Sequence, residues 1–101
     1  MSSAGDFEEF LARQREDYGR ALPARVAGLR EAWERASASR SDDDYATLQR
    51  AAHSIAGSGG TFGFPEAGTA ARELETAVEA RDDSAIGAAL ARLEETLGDG
   101  V

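Results

Sequence analysis

Residues 41–60 read SDDDYATLQRAAHSIAGSGG. Ser41 stands where a helix N-cap is wanted, and Asp44 three residues on takes the place of the Glu or Gln of a capping box. Asp42, Asp43 and Asp44 suit the positive end of a helix dipole. Tyr45, Leu48, Ala52 and Ile55 then fall within a sector of roughly 80° on a helical wheel. The stretch therefore predicts an amphipathic helix with one buried stripe, running into Gly57-Ser58-Gly59-Gly60. A calcium loop is the weaker reading of the three aspartates, because position 46 is Ala and no early Gly follows.

Working outward, the same period recurs and strand signals are scarce. A short first helix is expected over about Asp6–Asp17, with Phe7, Phe10, Leu11 and Gln14 at helical spacing. Gly19 weakens the next turn, and Pro23 is expected in the first turn of a second helix, where its missing N–H costs nothing. That helix carries Leu22, Val26, Leu29, Trp33 and Ala36 on one stripe, and Ser37–Arg40 reads as a loop. Beyond the Gly cluster, Pro65 opens a fourth helix with Ala67, Ala71, Leu74 and Val78 inward. Ser84 is expected to cap a fifth, bearing Ile86, Leu90, Leu93 and Leu97, with Gly98 as its C′ residue. The prediction is an all-α bundle with a core of Leu29, Trp33, Leu48, Ile55, Leu74, Val78, Leu90 and Leu93. Residues 1–101 form one domain in this reading, with about 1–5 and 99–101 flexible. Met1 and the complete helix count point to a free-standing protein.

Composition removes several function classes. Eleven basic residues, all Arg, stand against nineteen acidic ones, for a net charge of −8. A nucleic-acid binder needs a basic face, and an anionic membrane attracts one; neither partner is expected. With no Cys there is no disulfide, thiol nucleophile or zinc–thiolate site, and a single His excludes a site needing two imidazoles. The N-terminus is polar then acidic, without the cationic and apolar segments of a signal peptide. The longest stretch free of formal charge, Ala51–Pro65, is too short and Gly-rich to span a bilayer. A cytoplasmic monomer is expected, with no bound metal or cofactor.

His53 lies about 120° from the centre of its helix's apolar stripe, so its imidazole is expected at the flank of the polar face. Its helical neighbours are Gln49, Ala56, Gly57 and Gly60, which apart from Gln49 are small. Two readings stand: a solvated surface histidine, or an imidazole left uncovered so that another protein can reach it. The glycines weigh on that choice, since each inside a helix costs roughly 1 kcal/mol against Ala. A helix end followed by a turn accounts for Gly63 but poorly for Gly57 and Gly60. A P-loop needs a preceding strand and a Lys-Ser/Thr pair, and a dinucleotide fingerprint needs a strand and other Gly spacing; neither fits.

The string from Ala52 to Phe64, AHSIAGSGGTFGF, resembles the phosphorylation motif of histidine-containing phosphotransfer (HPt) domains. The resemblance implies an antiparallel up-down four-helix bundle with an additional short N-terminal helix, in line with the five helices expected from periodicity. It implies that His53 is the phosphorylated histidine and that Gly57 clears space beside the ring. Glu75, twenty-two positions on, matches a Gln/Glu position that hydrogen-bonds the imidazole. The often basic position three residues after the histidine is Ala56 here, so Arg50 or Arg72 would have to supply positive charge. Gln49 is a further supporting residue.

The function implied is that of a phosphorelay intermediate rather than an enzyme. His53 takes a phosphoryl group from a kinase or a receiver-domain aspartate and passes it to another receiver. The implied partners are response-regulator receiver domains and sensor or hybrid histidine kinases, with Mg²⁺ held by the receiver. The docking patch is expected to comprise Ala46, Ala56, Gly57 and Gly60, with Phe64 at its edge, because close backbone approach needs side chains absent. The alternative is an adaptor that binds a receiver or another partner without carrying phosphate, a reading that Ala56 favours.

Overall fold

Residues 3–98 of the chain, described by a computed structural model, contain four α-helices and no strand. These are α1 (Ser3–Ser39), α2 (Asp42–Ser58), α3 (Pro65–Glu79) and α4 (Asp83–Glu95). Each packs on its neighbours in chain order and α4 closes back on α1, while α1 and α3, like α2 and α4, lie on the diagonals. Neighbouring helices run antiparallel, as contacts at both ends show. Tyr18 meets Ser58 while Trp33 meets Tyr45; Arg30 meets Glu94 while Arg40 meets Asp83. The expected core residues are all buried except Trp33, which is half-buried with its ring edge-on to Tyr45 at 6.4 Å. Burying one Leu or Ile in this way contributes roughly 1.5–3 kcal/mol.

The two helices expected at the N-terminus are one. α1 runs unbroken through Gly19 and Pro23, so there is no separate short N-terminal helix among the described residues. Pro23 lacks the N–H that would bond the Gly19 carbonyl, a loss of about 3 kcal/mol in a helix interior. Tyr18, Leu22, Val26 and Leu29 are buried on both sides of it, each turn held against the bundle, while the proline ring itself is exposed. Their combined burial outweighs the lost hydrogen bond, and a break would carry half of them out of register. Gly19 has its own reason: a Cβ there would stand 2.7 Å from Cζ of Phe64.

Three boundaries also differ from expectation. α1 continues to Ser39, so the loop expected over 37–40 shrinks to Arg40 and Ser41, with Arg40 at φ 59°. α4 is capped by Asp82, whose carboxylate accepts from the Ala85 N–H at 3.1 Å; Ser84 lies inside the helix. The cause is upstream. α3 ends in a Schellman turn in which Arg81 (φ 53°) donates to the Val78 carbonyl and Asp82 to that of Ala77, which brings Asp82 round to the next helix start. Finally, α1 begins at Ser3, inside the stretch 1–5 expected to be flexible. Residues 1 and 2 and the expected flexible tail 99–101 lie outside the described residues.

α2 starts as its sequence dictates, with the Ser41 hydroxyl accepting from the Asp44 N–H at 3.2 Å and the three aspartates in the first turn. This end of the bundle is clasped by charges. The Arg40 guanidinium donates to Asp83 at 2.5 Å, the Tyr45 hydroxyl to the same carboxylate at 3.1 Å, and Arg81 to Asp42 at 2.8 Å while stacking 4.0 Å over the Tyr45 ring. The hydrogen bond from Arg40 is the main cause holding the Asp83 carboxyl below its usual range, and burial pushes the Tyr45 hydroxyl up. Halfway up the bundle, Arg30 of α1 grips Glu94 of α4 with two hydrogen bonds, at 2.6 and 3.0 Å. Among the described residues no helix is long and apolar enough to cross a membrane.

Candidate functional site

α2 turns its buried stripe toward the bundle, which leaves His53 on the rim of the groove between α2 and α3. The imidazole is 73% exposed, and its Nδ1 lies 2.7 Å from Oε2 of Glu75, whose own side chain is only 19% exposed. The antiparallel pairing of α2 and α3 makes this contact across twenty-two residues of sequence. A carboxylate can only accept, so Nδ1 must carry the proton. In the neutral ring the lone pair then sits on Nε2, on the solvent side. The site thus holds a tautomer-selected imidazole with its basic nitrogen turned outward, which is the arrangement of a nucleophile oriented by a neighbouring acid.

One turn toward the start of α2, Ala46, Gln49 and Arg50 line the groove with His53 and Glu75. One turn the other way, Ala56, Gly57, Gly60, Thr61, Thr69 and Arg72 line a second depression. Gly57 and Gly60 are exposed, and a Cβ built on either meets nothing within 4 Å. No packing within the described residues requires their smallness. Gly59 is different: its Cβ would fall 2.8 Å from the Gly68 amide nitrogen and 2.9 Å from its Cα, so here the start of α3 crosses the end of α2 backbone to backbone. Gly63, at φ 90°, makes the turn.

The expected residues divide accordingly. His53, Glu75, Gln49 and Ala46 come together, and Gly57, Gly60, Ala56 and Arg72 extend the same face. Ala56 contributes little surface, since its methyl is buried, and its carbonyl accepts a long 3.4 Å contact from Arg72. Phe64 is a correction. Its ring packs on Tyr18 (centroids 5.8 Å apart) and against Gly19, lining neither depression beside His53, because the turn at Gly63 throws it onto α1. Phe62 stacks on the same tyrosine at 5.0 Å. Of the two cations considered, Arg50 lines the His53 groove and Arg72 the neighbouring one.

Sequence reading missed Thr61, Thr69 and Gly68. The available signal was Gly68 itself, a glycine in the first turn of a helix, which marks a close crossing. It also missed Arg25, which donates to the Ser54 hydroxyl at 2.6 Å beside the histidine and ties α1 to this part of α2.

A family model described as Hpt domain matches residues 5–99, nearly the whole chain. No curated protein and no solved structure matches it.

Proposed function

The chain belongs to the Hpt domain family, whose members are phosphocarrier modules in two-component phosphorelays, and from that premise we propose that Nε2 of His53 is the phosphoryl acceptor. The observation that carries this is the 2.7 Å contact between Nδ1 and Glu75 on a ring otherwise open to solvent.

Nε2 attacks the phosphorus of a receiver's aspartyl phosphate. A P–N bond forms as the P–O bond to the carboxylate breaks, and the receiver's aspartate leaves with the electron pair. The imidazole keeps its Nδ1 proton throughout and becomes positively charged, opposite the Glu75 carboxylate, which stabilises that charge. Transfer to a second receiver is the reverse. Family members work with receiver domains and histidine kinases; Mg²⁺ belongs to the receiver and supplies electrostatic stabilisation there, while this chain supplies the positioned nucleophile and the docking face. Arg50, one helical turn from His53, is the cation we assign to the phosphoryl oxygens, with Arg72 next along the face. The small-residue strip over Ala46, Gly57 and Gly60 is where a receiver backbone comes close. A cytoplasmic location follows from these partners.

The test is labelling by a phosphorylated receiver. Wild-type protein should acquire an acid-labile, base-stable phosphoryl group. His53→Gln should fold with an unchanged thermal midpoint, since an exposed site contributes within about 0.5 kcal/mol, and should accept none. Label on the Gln variant refutes the assignment. Receiver binding without labelling of the wild type would leave the adaptor reading, which Ala56 favours.

A further inference from the structure

The apolar stripe of α1 does not stop where the bundle does. Tyr18 and Arg15 reach the α2–α3 loop, through Phe62, Phe64 and Gly63. Above them the helix continues to Ser3, and the molecule's longest dimension of 56 Å is the length of α1, about 55 Å at 1.5 Å per residue. On this projecting arm Phe7 is 59% and Phe10 49% exposed, the exposed large hydrophobics of the described chain. With half-buried Leu11 and Gln14 they lie within roughly 100° of one another, and Tyr18 continues the same face into the core. One face of one helix is therefore buried in the bundle and bare beyond it.

The charges beside that stripe indicate what covers it. Asp6 and Arg13 fall on one flank, Glu8 and Arg15 on the other, each about 90–110° from the stripe's centre. Each flank carries an acid followed seven residues later by an arginine. None of the four makes an ion pair among the described residues, whereas Arg20 just below is paired to Glu16 and Asp17. Set two arms antiparallel about a two-fold axis between Phe10 and Leu11. Asp6 then faces Arg13 of the second copy, and Glu8 faces its Arg15, four attractive pairs in all. A parallel pair in register would set acid against acid and arginine against arginine. The pattern is self-complementary in one orientation only, as an isologous contact requires.

We propose that this arm pairs with the same arm of a second copy, antiparallel, with the two bundles at opposite ends. This departs from the monomer expected from sequence, and is independent of the phosphotransfer reading. His53 stays free in the pair. Through the Arg25–Ser54 contact it is level with Arg25 of α1, about 16 Å along the axis from Gln14.

Sedimentation equilibrium of the full chain from about 10 μM to 1 mM tests it, a range that captures weak pairing. The expected result is reversible dimerisation that weakens with salt. Phe7→Glu with Phe10→Glu should be monomeric throughout, with unchanged thermal midpoint and receiver-dependent labelling. Arg13→Glu with Arg15→Glu should weaken self-association at least about ten-fold, as should Asp6→Arg with Glu8→Arg. Mixing the two charge-reversed proteins should restore a one-to-one dimer. A wild type monomeric at 1 mM overturns the proposal, as does failure of the mixed variants to pair. So does a phenylalanine double variant that loses labelling while the wild type is monomeric, since the face would then belong to a receiver.

Discussion

Gly57 and Gly59 sit two residues apart at the end of α2, and the structure gives them opposite signs. A Cβ on Gly57 meets nothing within 4 Å, and its backbone is helical, so Gly57→Ala removes only the glycine penalty. In a helix interior that penalty is about 1 kcal/mol; in the last turn about 0.5–1 kcal/mol is expected. For a domain of this size the thermal midpoint should rise by roughly 2–6 °C. Gly59 is also helical (φ −55°, ψ −51°), so intrinsic propensity argues the same way. There, however, the new methyl would lie 2.8 Å from the backbone nitrogen of Gly68 and 3.0 Å from the Ile55 carbonyl oxygen. No side chain can rotate away, so α3 must shift, and overpacking of this kind costs about 1–3 kcal/mol. Gly59→Ala should therefore lower the midpoint, the opposite direction to Gly57→Ala, because the overpacking exceeds the propensity gain. Thermal melts followed at 222 nm, with urea titrations of the same proteins, measure both. Transfer completes the experiment. If a receiver backbone passes over Gly57, then Gly57→Arg should abolish labelling of His53 while leaving helix content intact. A destabilising Gly57→Ala refutes the claim that the position is open, and undiminished transfer in Gly57→Arg refutes its place in the docking face.

Other outcomes follow from the same geometry. Glu75→Gln keeps a hydrogen-bond acceptor but loses the charge facing the imidazolium, so transfer should slow by about ten-fold, the equivalent of about 1.4 kcal/mol; Glu75→Ala should slow it further, and a rate within two-fold of wild type would remove Glu75 from the mechanism. Pro23→Ala restores the N–H to Gly19 carbonyl bond within continuous α1 and should stabilise by about 1–3 kcal/mol in urea unfolding; at the first turn of a separate helix the same change would gain nothing. The Asp83 and Glu94 carboxyls lie below their usual range because Arg40 and Arg30 hydrogen-bond them. Their stabilisation is present above the ordinary carboxylate range near pH 4 and is lost as pH falls through the lowered folded values, so the midpoint should drop below about pH 4. Asp83→Asn should lower the midpoint at pH 7 and flatten that acid limb.

Periodicity and end signals are local properties, and they were legible. The stripe of Tyr45, Leu48, Ala52 and Ile55, the Ser41 cap and Pro65 at a helix start all appear where their residues put them. Gly98, expected as the C′ residue, stands at φ 83° one position further out, because α4 ends at Glu95 with Thr96 as its C-cap and leaves Leu97 beyond the helix. The flank position of His53 came from the same arithmetic, because a helix of known register fixes which side chains face outward. The sequence was also sufficient to suspect Gly57, since glycine in a helix is a cost that local structure does not recover. Gly60, for which the same cost was expected, lies past the end of α2 in the turn, where no helix penalty applies.

Tertiary structure decided what depends on two segments at once. Pro23 is a helix start by local rules, and only the burial of Leu22, Val26 and Leu29 against the other helices makes it a mid-helix residue. Phe64 looked like the rim of the site until the turn at Gly63 laid its ring on Tyr18 and into the space Gly19 leaves. Asp82 rather than Ser84 caps α4 because the chain leaves α3 through a left-handed Arg81. Above all, the sequence by itself determined that one exposed imidazole stands among small residues. That its Nδ1 meets Glu75, and that Nε2 is therefore the nitrogen presented to solvent, was settled only by the antiparallel packing of α2 on α3, since a hydrogen bond between residues twenty-two positions apart exists in no local pattern.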